Sequence, residues 1–192
     1  MTSARTPKGP RGSSTSTPAL SFMLATDDDA EEIASLRNRA AEHLTQLHGR
    51  GHWSGMVTDK GVLHGISNTS RVLIARDRKG TIIATLRLAT KKPWAIDVAY
   101  FTNVPRVLYL LDMAVEPAMQ QRGIGRRLMA EAVKAARDWP GEAISAIRLD
   151  AYAHPQAGAG DFYARCGYRE VGRVVYRGVS LVYFELLLPA GT

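Results

Sequence analysis

The sequence predicts an α/β domain built on a central mixed, largely antiparallel sheet, with one parallel βαβ unit inside it. Three observations predict it. Ile33, Leu36, Ala40, Leu44 and Leu47 recur every three or four positions, the spacing of an amphipathic helix. Residues 108–151 read strand, helix, strand, which forms one right-handed crossover between two parallel strands. The run from 171 to 188 reads as two β-rich segments around Gly178, a closing hairpin.

Each element can be justified in order. The opening MTSARTPKGPRGSSTSTP is rich in Ser, Thr, Pro and Gly and cannot offset its ordering entropy by burial. Residues 1–20 are therefore expected to be a disordered basic tail, and 21–189 a single domain. The first helix has Thr26 or Asp27 as N-cap, followed by acidic residues in its first turn, where they complement the helix dipole. The stretch 48–70 loses the periodicity and is dotted with glycine, so it reads as a loop with at most a short helical turn. Residues 71–89 form a hairpin around Asp77-Arg78-Lys79-Gly80. An irregular aromatic excursion with Pro93 and Pro105 follows. Residues 107–115, nearly all apolar, suit a strand buried on both faces. Leu128, Met129, Ala132, Val133 and Ala136 stripe a helix over Gly125–Trp139. Ile147, Leu149 and Ala151 alternate along another strand, and a short helix ends at Gly167, placed as a C-cap.

Composition narrows the function classes. At 45% hydrophobic and 22% charged the chain is ordinary globular protein, and no run approaches the ~20 apolar residues of a membrane span. A single cysteine, Cys166, rules out an internal disulfide and fits a reducing cytosol, so a cytoplasmic location is expected. Of the net charge of +7, Arg5, Lys8 and Arg11 account for three, leaving four on the body. That excess serves a polyphosphate ligand as well as it serves nucleic acid, and nucleic acid is not expected. His48, His52 and His64 share a loop, but their spacing matches no zinc pattern, so no metal is expected.

The chemistry points to residues 120–127, Gln-Gln-Arg-Gly-Ile-Gly-Arg-Arg, between a strand and a helix. At a helix N-terminus the first backbone N–H groups lack intrahelical partners and the dipole is positive. Gly123 and Gly125 would let an anion approach, and Arg122, Arg126 and Arg127 add charge. The run lacks the Gly-Lys-Ser/Thr of a P-loop and, with Leu128, the third glycine of a dinucleotide fingerprint.

Gln120–Gly125 resembles the Q/R-x-x-G-x-G/A acyl-CoA loop of the GNAT superfamily of N-acetyltransferases. Leu110–Pro117 is similar to that family's fourth strand and the small-Val-x-Pro run at its end, and Phe162–Tyr168 to its F-Y-x-x-x-G-F/Y signature. The resemblance covers about residues 22–188. It implies a GNAT-like fold with the βαβ unit splayed at the acyl-CoA site, and acetyl-CoA as co-substrate. Met113 and Val115 would bind the pantetheine arm through their backbone. Gln121, Arg122, Gly123, Ile124, Gly125, Arg126 and Arg127 would surround the pyrophosphate. Tyr163 would be the general acid that protonates the leaving thiolate. Family members often pair, so a homodimer is a further expectation. One departure is Gln156 (inside Ala-His-Pro-Gln-Ala-Gly), where many members carry Asn; it puts that one cofactor contact in doubt.

The attacking amine must shed a proton, and Asp112 is the first candidate base, followed by Glu116 and His154. Trp53, Trp94, Tyr100 and Asp97 lie in the two segments where this family builds its acceptor pocket. Aromatic rings beside a carboxylate suit a small amine. The leading expectation is an acyl-CoA-dependent N-acetyltransferase acting on an unidentified small amine. The alternatives are a non-catalytic acyl-CoA sensor or interaction module, and a protein or peptide N-acetyltransferase.

Overall fold

The computed structural model describes residues 19–67, 70–154, 156 and 159–189; the expected disordered tail lies, apart from its last two residues, outside them. Along the chain run β1 (Ser21–Leu24), α1 (Ala30–His48), α2 (Asp59–Ser67), β2 (Ser70–Arg76), β3 (Ile82–Ala89) and β4 (Val107–Val115). They are followed by α3 (Ile124–Arg137), β5 (Ala146–Tyr152), α4 (Ala159–Arg165), β6 (Arg169–Tyr176) and β7 (Val179–Leu187). The seven strands form one sheet in the order β1-β2-β3-β4-β5-β7-β6. Every neighbouring pair is antiparallel except β4 with β5, the parallel pair bridged by α3.

Local chemistry sets the boundaries. A 3-10 turn over Asp27–Asp29 leads into α1, and the Thr26 N–H donates to Asp29 Oδ2 at 2.8 Å. In the β2–β3 turn, Asp77 Oδ1 accepts from the N–H groups of Lys79 and Thr81, while Gly80 takes φ +84°. Arg177 and Gly178 both have positive φ, the two-residue turn that suits a hairpin's twist. Gly167, at φ +88°, ends α4 as expected, its N–H donating to Ala164 O at 2.9 Å.

Two elements differ from the sequence reading. The loop expected over 48–70 holds the nine-residue α2, whose Val62 is buried with Leu63 and Ile66 packed beside it, against Ile33, Leu36 and Val72. Gly61 and Gly65 mask that stripe in the sequence, and Gly65 lets Arg87 pack close, since a Cβ there would stand 3.1 Å from Arg87 Cδ. Ser21–Leu24 also pairs as an edge strand, too short to show an alternating pattern.

Two layers cover the sheet. α3 packs one face through Leu128, Met129, Ala132 and Ala136 against Leu73, Leu86, Leu108 and Ile147, and α4 adds Phe162 and Tyr163 to the same cluster. α1 and α2 pack the other face over β2 and β3, and the excursion between β3 and β4 seats Ile96 and Phe101 on Tyr109 and Tyr183. A buried pair, Arg148 Nε to Glu185 Oε1 at 3.0 Å, anchors that excursion: the other Glu185 oxygen accepts from the Thr102 hydroxyl at 2.6 Å. Among the described residues no helix is long and apolar enough to cross a membrane.

Candidate active site

β4 and β5 pair only over Val107–Tyr109 against Ala146–Arg148, and then diverge. The expectation that β4 is buried on both faces holds for Leu108–Leu110 and fails for Leu111–Val115, which are half-exposed because they border the opening. The divergence starts at a bulge. Between Leu111, paired with Arg87, and Ala114, paired with Thr85, β4 holds one residue more than β3. Asp112 sits there at φ +58°, a left-handed conformation that Asp tolerates better than most residues. Such a bulge bends a strand and re-aims its groups. Arg37 Nη2 of α1 donates to one Asp112 oxygen and Arg87 Nε of β3 to the other, each at 2.7 Å.

On one side of the opening lies a cavity of about 810 Å³. Met113, Ala114 and Val115 border it from β4, Gln121, Gly123, Ile124, Gly125 and Arg126 from the loop and α3, and Phe162 and Tyr163 from α4. The two glycines do different things. Gly123 is the left-handed N-cap of α3 (φ +75°), and a Cβ there would meet nothing within 4 Å, so the space above it is open. Gly125 makes room for protein: a Cβ would stand 3.2 Å from Met113 Cε and from the Phe162 ring. The α3 N-terminus therefore presents unpaired N–H groups to an open cradle beside Arg126, which fits a diphosphate. Arg122 and Arg127 do not border the cavity; Arg127 lies over the Phe22 ring, 5.1 Å from its centre. Arg165 and Cys166, which sequence reasoning passed over, do border it. Burial pushes the Cys166 thiol up, with Arg126 and Arg165 pulling the other way.

On the other side is a cavity of about 510 Å³ under α1, whose Arg37, Ala40, Ala41 and Leu44 form one helical stripe along it. Trp53, Asp112, Asp150 and Tyr152 face it as well. Met113, Ala114 and Tyr163 border both cavities. Burial, reinforced by the charge of Asp150, pushes the Tyr163 phenol well above the ordinary tyrosine range. Burial likewise raises the Asp150 carboxyl, opposed by a hydrogen bond to its own backbone. Asp150 lies on the polar face of β5, where Arg148, Asp150 and Tyr152 alternate with the apolar residues that mark the strand, and that alternation is its signal in the sequence.

Several expected residues stand elsewhere. Trp94, Asp97 and Tyr100 border neither cavity, because the excursion folds back onto β7. Asp97 accepts from the Ala99 N–H, Tyr100 packs edge-on against Tyr183, and Trp94 is exposed. Glu116 is paired with Arg39 at 2.8 Å. His154 joins His48, Trp53 and Tyr152 in an aromatic group, with His48 and His154 centred 5.2 Å apart. Gln156 is exposed, its N–H donating to His154 Nδ1 at 3.3 Å. Among the described residues no three His, Cys, Asp or Glu side chains come together as a metal site.

Comparison with known proteins places this geometry. No curated protein matches by sequence. Solved structures match closely in fold. YncA from Salmonella typhimurium, solved with its cofactor acetyl-CoA, is 17% identical with a TM-score of 0.67, covering 91% of this chain and 96% of its own. An N-acetyltransferase from Staphylococcus aureus Mu50 is 13% identical with the same TM-score, covering 88% and 98%. NAA60 of Arabidopsis thaliana, in complex with acetyl-CoA, is 15% identical with a TM-score of 0.65, covering 88% and 99%. The acetyltransferase (GNAT) family model matches residues 33–168, which contain the splayed strands, the Gly123–Gly125 loop and Tyr163. The chain belongs to the GNAT family of acetyltransferases.

Proposed function

We propose that the protein is a cytoplasmic N-acetyltransferase that moves the acetyl group of acetyl-CoA onto the primary amine of a small molecule. The observation that carries this reading is that one phenol, Tyr163, borders both cavities at the point where β4 leaves β5. The larger cavity, bordered by half-exposed β4 backbone and the glycine cradle, supports this reading; in it Met113 and Val115 would lie along the pantetheine arm and Gly123–Arg126 at the diphosphate. Acetyl-CoA supplies an activated thioester; the chain supplies position and proton transfer.

Asp150 takes the first role. The amine arrives as an ammonium (pKa ~10.4 for a lysine-like group) and must lose a proton before it attacks. A carboxyl raised by burial is better matched to that transfer near neutral pH than an ordinary one. Asp112 is assigned a different task, since both its oxygens are already engaged by cations: it braces the β4 bulge. Tyr163 then acts at the other end. As the carbon–sulfur bond breaks, its O–H gives a proton to the departing thiolate and regains one from the attacking nitrogen, which is positively charged after addition and becomes the neutral amide by losing that proton. A phenol held protonated by burial retains that proton throughout the working pH range.

The test begins with calorimetric titration of CoA, acetyl-CoA and NAD, followed by CoA-thiol release with a panel of amines. Binding of the two CoA species and not NAD is expected, with amine-dependent release. Tyr163→Phe should lower kcat by about a hundredfold, the lower end of general-acid effects, with a far smaller change in the Kd for CoA. Undiminished turnover would remove the acid role, and CoA binding without turnover of any amine would point to a non-catalytic acyl-CoA-binding module.

A further inference from the structure

The smaller cavity is electrically lopsided. At its α1 end two guanidinium groups, Arg37 and Arg87, share one carboxylate, Asp112, so among the described residues one positive charge is left without a paired acid. Arg37 faces the cavity and Arg87 does not. Arg37 spends one N–H, from Nη2, on Asp112, and a guanidinium has five. Ala40 and Ala41, one turn further along the same helix face, leave space beside it. At the β5 side stands Asp150, among the described residues the only other acidic group on the wall.

Arg37 thus keeps N–H groups for an anion while one carboxyl, Asp150, awaits an ammonium. We propose that the acceptor substrate is a small amine that also carries a carboxylate, an amino acid or close analogue, with its carboxylate on Arg37 and its amine toward Asp150. A polyamine would need several acidic partners, and of the two carboxylates on the wall Asp112 is already held by arginines. The remaining lining, Leu44, Val57, Leu110 and Leu111, suits an apolar side chain of moderate size. This assignment rests on the acetyltransferase reading above and deepens it.

The test compares matched acceptors with and without the anion: leucine, leucinamide and 3-methylbutylamine, and separately 6-aminohexanoate and hexylamine, each rate referred to the free-base form of the amine because the anion also shifts the amine's basicity, with spermidine as the multiply charged arm. For at least one matched pair the carboxylate form should show a kcat/KM about tenfold or more above its neutral partner, the size of a hydrogen bond to a charged group. In Arg37→Gln that ratio should collapse toward one, and Arg37→Lys should restore part of it. Arg87→Gln breaks the same Asp112 pairing from outside the cavity and should keep the ratio whatever happens to the absolute rate. Equal use of both members of every pair, a preference for spermidine, or a ratio lost equally in Arg87→Gln would overturn the assignment while leaving the acetyltransferase reading intact. If no amine is turned over, calorimetry of the same pairs on the CoA-loaded protein decides: carboxylate-selective binding supports the assignment and its absence overturns it. Failure to bind CoA at all removes the reading beneath it, and the two failures are separate.

Discussion

At the scale of single residues, Asp150 makes a prediction with a definite sign. Burial raises its pKa above the ordinary 3.8, so the folded protein keeps a proton that the unfolded chain has already lost. Stability must therefore fall as pH rises from about 3.8 to the raised value, and above that the full cost is present. Asp150→Asn carries no such cost. The variant should melt above wild type at pH 7 to 8 and lose that advantage toward pH 3 to 4, which calorimetry across pH would read. Its kcat/KM should drop by about a hundredfold. The alkaline rise in its rate should move toward the amine's own pKa, whereas wild type rises with Asp150. A variant that is neither more stable at neutral pH nor slower would return Asp150 to the role of a buried bystander. Gly125 teaches the same lesson about single positions. Its sequence context is that of a phosphate loop, but its missing Cβ accommodates Met113 and Phe162. Which neighbour a glycine makes room for is a tertiary fact, and no local pattern contains it.

Among the elements, β4 is where sequence and structure converge most usefully. Its apolar run, the loop after it and the amphipathic α3 were all legible, because each rests on local periodicity or on turn chemistry. The bulge was not, since it depends on Arg37 and Arg87 arriving from α1 and β3 to meet Asp112, 75 and 25 residues away. The excursion after β3 was misplaced for the same reason. Trp94, Asp97 and Tyr100 have the chemistry of an amine site, but their position is set by Tyr183, more than 80 residues on. α2 escaped because glycines interrupt a stripe that only packing against Ile33 and Val72 completes. The bulge gives a prediction at this scale. Asp112→Asn retains a side chain that tolerates the left-handed backbone but loses the charge that binds two arginines. With these side chains about a quarter exposed, the loss should amount to about 1–2 kcal/mol of stability, below that of a fully buried ion pair. The KM for acetyl-CoA should rise, because β4 is no longer held in its splayed form, while the shape of the pH–rate profile should be unchanged. A profile that flattens in Asp112→Asn would identify Asp112 as the base after all.

The whole molecule is two half-sheets joined at a short seam. β1 to β4 make one half and β5, β7 and β6 the other, and the ladder between them runs only from Val107 to Tyr109. Each half has its own antiparallel hydrogen bonds, so the seam is where backbone groups lack a partner from the sheet. Unpaired backbone groups bordering a cavity are costly to hide from water and ready to bind an extended ligand. That arrangement predicts how the protein responds as a unit. Without ligand, the amides of Leu111–Val115 that face β5 should exchange with solvent faster than those of Leu108–Leu110. CoA should slow the exchange at Met113 and Val115 most strongly, as an added strand would, with a second zone of protection over Gly123–Arg126. Because a ligand that binds only the folded state stabilises it by mass action, CoA at about a hundred times its Kd should add about 2.7 kcal/mol to global stability. Hydrogen exchange by NMR with and without CoA reads both effects. Protection confined to 123–126 would mean that the diphosphate binds but the seam stays open, and the added-strand account of the pantetheine arm would have to be given up.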